Sequence, residues 1–160
     1  WARARERLPN WRLRVGGNGE VERFLAEAEA LGIRGDIDYL GWVSGDAKEA
    51  ALAQADIFVL PSYKEGMPVS ILEAMVYGAA VVATPVGGVP DMMVAGHHGL
   101  LVDAGDVDAL AEAMQRLAGD ARLRERLTGA AREHVRANYS STEVIERLKV
   151  VYRELIGPIS

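Results

Sequence analysis

The sequence contains no cysteine. That absence removes a disulfide scaffold, a thiolate metal site and a cysteine nucleophile together. Positive charge is not in surplus either. Eighteen Lys and Arg stand against 23 Asp and Glu, a net charge of −5, which argues against general binding to nucleic acid or to an anionic membrane. Long apolar runs are missing. The longest, Met75 to Ala83, includes a glycine and falls well short of the ~20 residues that a transmembrane segment needs. No basic-then-apolar leader opens the chain, so nothing marks secretion and the expected location is cytoplasmic. What remains is globular in kind: 160 residues, 49% hydrophobic and 26% charged, enough for one domain with its own core.

Short apolar runs alternate with amphipathic ones. Trp1 to Leu8 reads as the end of a helix closed by Pro9-Asn10, with no cap before it, so the expectation is that an upstream strand and most of a helix precede it. Strands are expected at Arg12–Val15, Ile37–Leu40, Ile57–Leu60, Ala79–Ala83 and Leu100–Val102. Helices are expected at Glu20–Leu31, Asp46–Gln54 and Pro68–Tyr77, with one or two turns at Asp91–Ala95. The remainder reads as helices over 107–118, 120–137 and 141–156, the last opened by a capping box, Ser140-Ser-Thr-Glu143, and ended by Gly157-Pro158. No internal repeat, low-complexity tract or linker interrupts the pattern. The fold class is therefore α/β: a Rossmann-like three-layer domain with a parallel sheet covered on both faces.

In such sheets ligands bind at the carboxyl ends of the strands. Four strand ends carry glycine- or proline-rich loops: Gly16–Gly19, Gly41-Trp42-Val43, Pro61 to Gly66 and Pro85 to Pro90. Turn chemistry explains any one of them, and four on one edge mark a site. Counting G-x-G-x-x-G from Gly17 requires glycine at 22, where Glu22 stands, so a dinucleotide fingerprint is not supported. A tight strand-to-helix turn and a phosphate- or sugar-approaching loop both remain open for Gly16–Gly19.

The segment Glu65-Gly-Met-Pro-Val-Ser-Ile-Leu-Glu73 carries most information. Pro68 suits a first helical turn, which leaves Glu65 in the loop and Glu73 about five residues into the helix. The free N–H groups near Val69 and Ser70 then form an anion-ready helix start. That helix is apolar nearly all round, so burial is expected for Glu73 and exposure for Glu65. No cation lies at i±3 or i±4 from Glu73, and a buried carboxylate needs hydrogen-bond donors. Vicinal hydroxyls of a ribose or hexose would supply them. A helix-dipole partner for Glu65 and a distant salt bridge for Glu73 are the competing accounts.

Glu65 and Glu73, within Pro61-Ser62…Glu65-Gly-Met-Pro…Ile-Leu-Glu73-Ala-Met…Gly78, resemble the E-x7-E motif of retaining, GT-B-fold glycosyltransferases of family 4 (group 1). Tyr39-Leu-Gly-Trp-Val43, Ala55 to Ser62, Val82 to Gly88 and Gly96 to Val102 resemble further blocks of that family in the same order. The resemblance covers residues 12–120 closely and implies the C-terminal, donor-binding half of such an enzyme. It implies that Glu65 holds donor-sugar hydroxyls as the catalytic residue and Glu73 the ribose diol. Gly66, Met67, Pro68 and Val69 would face the donor's phosphates and sugar. Gly16, Gly17 and Gly19 would form a loop facing the cleft, with Val43 bordering the nucleobase and Lys48 a weaker donor contact. Met67 departs from the usual aromatic or leucine, and Asp91 stands where glutamate is common, with no role assigned. The family's diphosphate-binding Arg and Lys, and its acceptor domain, would lie upstream of Trp1. The partners implied are a nucleotide-sugar donor and an acceptor sugar, lipid or glycan. No metal and no cofactor are expected.

Other motifs have plainer readings. Asp36-Ile-Asp38 spells a metal-binding D-x-D but sits at a strand's amino end, as a turn would. His97-His98 lacks further ligands at metal spacing, His134 reads as surface, and Ser62 and Ser70 lack a nucleophile elbow. Two alternatives to the transferase stay open at this point: a glycoside hydrolase using Glu65 and Glu73, and a non-catalytic sugar-nucleotide-binding module.

Overall fold

A computed structural model describes residues 1–156, so the expected stop at Gly157-Pro158 lies outside the described residues. Trp1 to Leu8 is a turn followed by a 3-10 helix at Arg5–Arg7, in place of the expected helix end. Its Ala4 and Leu8 are nevertheless buried, against Ala111. From there the chain runs β1 (Leu13–Gly16), α1 (Val21–Ala30), β2 (Ile37–Gly41), α2 (Gly45–Ala53), β3 (Ile57–Leu60), α3 (Val69–Tyr77) and β4 (Ala80–Ala83). It continues through α4 (Val89–Met92), β5 (Gly99–Leu101), α5 (Val107–Gly119), α6 (Ala121–Tyr139) and α7 (Ser141–Ile156). Every strand and helix expected from residue 12 onward is present, most of them displaced by a residue or two.

The strands do not form one sheet. β1 and β2 make a parallel pair, and β3, β4 and β5 make a separate parallel sheet in that order. This corrects the expectation of a single sheet. The layering holds around the second. β4 is buried at all four positions, with Val81 and Ala83 in a core shared with Ile71, Met75 and Met92. Its other face, Ala80 and Val82, packs with Leu117, Leu123 and Leu127 from α5 and α6. A strand apolar on both faces can be stable only between two helical layers. The β1–β2 pair has its own small core of Ile37, Ala28 and Ile33 with Phe24 packed against it.

α3 stops at Gly78, whose φ of +86° is the left-handed cap a glycine adopts without strain. A Cβ there would also meet the Arg132 guanidinium at 2.0 Å, and Arg132 donates to the Tyr77 carbonyl. The α7 capping box forms by half. The Glu143 N–H donates to Ser140 Oγ at 3.3 Å, while the Glu143 carboxylate accepts from Arg147 instead. Among the described residues no helix is long and apolar enough to cross a membrane.

Candidate functional site

α3 begins one residue later than expected. Pro68 is the residue before it, extended at φ −73° and ψ 97°, and no side chain caps the helix. The N–H groups of Gly66, Met67, Val69 and Ser70 find no acceptor among the described residues. Four such donors at a helix start can hold an anion or hydroxyl oxygens. Glu65 precedes them and Glu73 is the fifth residue of α3.

Burial of the two glutamates differs from the sequence expectation, because α3 is not apolar all round in place. Ile71, Ala74 and Met75 face the core, while Val69 and Val76 are more than half exposed and the Glu73 side chain is 34% exposed. Residues 69, 73 and 76 form one stripe along an open groove of about 360 Å³, lined also by Lys48, Glu49, Tyr77 and Tyr139. Glu65 is half-buried, not exposed, and its Oε1 accepts from the Ser62 hydroxyl at 2.6 Å.

Glu73 does have a cation, from another element. Lys48 Nζ of α2 lies 2.5 Å from its Oε2. The contact lacks hydrogen-bond geometry, and Oε2 has no hydrogen-bond partner. The ion pair therefore balances charge at an oxygen that is itself buried, while the side chain as a whole stays about a third exposed to the groove. Tyr77 at the end of the same stripe has its phenol pKa raised, first by the Glu49 carboxylate as acceptor, then by burial, with Glu73 adding to it.

The predicted loops meet in two pairs. After β1, the Gly17 N–H donates to the Gly41 carbonyl at 2.7 Å and the Tyr39 hydroxyl donates to the Gly17 carbonyl. A Cβ on Gly16 would lie 2.8 Å from Val43 Cγ2, so Gly16, Gly17 and Val43 share one corner, with Gly19 open beside them. α2 starts two residues past Val43 and carries Lys48 across to Glu73, which links this corner to α3. After β3 and β4, the Gly88 N–H donates to the Gly66 carbonyl at 2.7 Å. A Cβ on Gly87 would lie 2.0 Å from the Glu65 carbonyl oxygen.

A larger groove of about 700 Å³ lies between Arg7–Trp11 and the Glu112–Gly119 end of α5. Neither Glu65, Glu73 nor any strand-end glycine lines it. Asp36 pairs with Arg5 and Asp38 with Arg14, as strand-entry residues do. His134 corrects its surface reading. Its ring stacks on buried His98 with centroids 4.1 Å apart, and its Nε2 is buried without a partner. The Val94 N–H donates to His98 Nδ1. No cluster of three His, Asp or Glu among the described residues could hold a metal ion.

A family model described as glycosyl transferases group 1 matches residues 1–134. D-inositol 3-phosphate glycosyltransferase of Corynebacterium diphtheriae is 32% identical over 154 residues, covering 92% of this chain and 36% of that protein. Sucrose-phosphate synthase of Thermosynechococcus elongatus superposes with a TM-score of 0.84 at 26% identity, over 96% of this chain and 41% of that one. An Anabaena protein solved in complex with UDP-glucose superposes with a TM-score of 0.83 at 20% identity, over 95% of this chain and 44% of that one. The chain thus spans less than half the length of each of these three proteins.

Proposed function

The chain belongs to the glycosyl transferases of group 1, and from that premise we propose that it binds a nucleoside-diphosphate sugar as the donor half of a longer enzyme. The sugar goes to an acceptor hydroxyl held by the rest of that enzyme, with retention at the anomeric carbon. The observation that carries this reading is the start of α3. Unpaired backbone N–H groups stand there between two carboxylates, both of them partly exposed. Backbone donors suit a diphosphate, and a carboxylate suits a vicinal diol. The similar Anabaena protein was solved both with UDP and with UDP-glucose, which makes the uridine nucleotides the first probes.

In this reading Glu73 holds the ribose diol, Glu65 the sugar hydroxyls, and Gly66 to Val69 the phosphates and sugar. Gly16, Gly17, Gly19 and Val43 border the base side, with Lys48 between. The domain's contribution to catalysis is positional and electrostatic: it fixes the donor, stabilises charge on the leaving diphosphate and exposes the anomeric carbon. No metal or organic cofactor enters this scheme.

Calorimetry with the two glutamate variants tests it. Glu73→Gln should weaken UDP and UDP-glucose alike by about 1.5–3 kcal/mol, as for a lost hydrogen bond to a charged group. Glu65→Gln should spare UDP and lower kcat/KM for the sugar nucleotide. Equal behaviour of both variants and parent toward both ligands would remove the assignment.

A further inference from the structure

Thr84 and His98 are the two buried polar side chains among the described residues. Thr84 is 2% exposed and stands where β4 gives way to the next loop. Its hydroxyl does not turn to water or to its own strand. It donates to the Ser62 carbonyl, 2.5 Å away in the loop after β3. Ser62 in turn donates its hydroxyl to Glu65 Oε1 at 2.6 Å. A second set of contacts presses on the same loop. Gly87, at φ +57°, lies against the Glu65 carbonyl so closely that a Cβ would sit 2.0 Å from it. Gly88 donates to the Gly66 carbonyl. Thr84 to Gly88 thus brace Ser62 to Gly66 at three separate points.

The bracing has a direction. One Glu65 oxygen is taken by Ser62, and the other has no protein donor among the described residues. A loop carboxylate with one oxygen tethered loses most of its rotamer freedom before any ligand arrives. We propose that Thr84 and Ser62 are positioning residues for Glu65. Thr84 fixes the Ser62 peptide, Ser62 fixes one carboxylate oxygen, and the second oxygen is held ready for a sugar hydroxyl. The inference rests on the reading of Glu65 as the sugar-holding residue. It adds that the residue's aim is set from the neighbouring strand, by groups that do not touch the donor.

The test uses UDP, GDP and ADP with their glucose conjugates, taking the pair that the parent binds most tightly. Affinity is measured by calorimetry, and donor turnover in the full-length enzyme by release of nucleoside diphosphate. Thr84→Val keeps the side-chain volume and removes the donor. It should leave affinity for the free nucleotide within about twofold and lower kcat about tenfold, the scale of one misplaced group. Thr84→Ser, which keeps the hydroxyl, should restore kcat to within about threefold of the parent. In a Glu65→Gln background Thr84→Val should cost nothing further, because residues that act through one another are not additive. Should Thr84→Val fail to fold, Ser62→Ala, in a half-buried loop position, carries the same expectations. Parental kcat in both variants, an additive loss beside Glu65→Gln, or no rescue by Thr84→Ser would each overturn the proposal. If Glu65→Gln itself turns over donor normally, the reading of Glu65 falls and the relay with it. If Glu65→Gln is impaired while Thr84→Val and Ser62→Ala are not, the relay alone is wrong. A parent that binds none of the three pairs overturns both.

Discussion

Lys48 and Glu73 touch at 2.5 Å with each side chain about a third exposed. An ion pair in that setting contributes about 0–1 kcal/mol to stability, so its consequence is local: it decides what charge a ligand meets. A nucleoside diphosphate brought beside an unbalanced Glu73 would face like-charge repulsion, and Lys48 cancels it. Lys48→Met should therefore weaken UDP binding by about 1 kcal/mol, more at low salt than at high, with little change in thermal midpoint. Calorimetry at two ionic strengths checks it, and unchanged affinity at both would confine Lys48 to the surface. Spacing made the two glutamates legible, since seven intervening residues put one before a helix and one inside it. The partner of Glu73 was not legible, because it comes from α2, 25 positions earlier (73 − 48 = 25), where no helical periodicity points. The burial of Glu73 was misjudged for a related reason. Apolar Val69 and Val76 face a groove rather than a core, and composition does not say which apolar stripe is covered.

At the scale of elements, α6 packs on the turn before β5 through a stacked imidazole pair. His98 is buried, its Nδ1 accepts from the Val94 N–H, its ring lies on that of His134, and the tilted His97 ring is 4.7 Å away. Asn138 Nδ2 lies 3.2 Å from His134 Nδ1, and Arg126 donates to the Gly96 carbonyl of the same turn. Burial first, then the charges of His134 and His97, lower the His98 pKa below the ordinary histidine value. A folded-state value below the unfolded one means that the unfolded chain binds the proton more readily. The stabilisation is then complete above the unfolded value of about 6.5 and declines as pH falls toward the folded value. Urea midpoints should drop between pH 7.5 and pH 5 by more in the parent than in His98→Asn, whose Oδ1 can still accept from Val94. Equal drops would show that His98 does not titrate on unfolding. Elements were legible from periodicity and from stops such as Gly78, whereas the contact between His98 and His134 spans two of them and left no local mark. His134 sits among arginines and glutamates in sequence, yet the turn of α6 that carries it faces inward.

The whole molecule sets a pair of strands beside a three-stranded sheet, with no ladder joining them. Alternation of strand and helix predicted the layers but not this division, since periodicity reports burial and not which strands are neighbours. The proposed donor contacts divide in the same way. Gly16, Gly17 and Val43 stand at the end of the pair, Glu65 and Glu73 beside the larger sheet, and α2 bridges them through Lys48. The proposed base- and ribose-side contacts across that junction are groups of this chain. Transfer needs more, because an acceptor hydroxyl must be held against the anomeric carbon, and that orientation is worth about 7–11 kcal/mol of barrier. The chain spans 36% of one similar transferase and 41% of one similar structure, which leaves most of each outside the matched region. The 160 residues alone should therefore bind nucleotide and leave UDP-glucose intact in the presence of hydroxyl acceptors, whereas the full-length enzyme should release UDP. Product analysis of both proteins under one set of conditions tests this, and sugar transfer by the isolated chain would place the acceptor site within it.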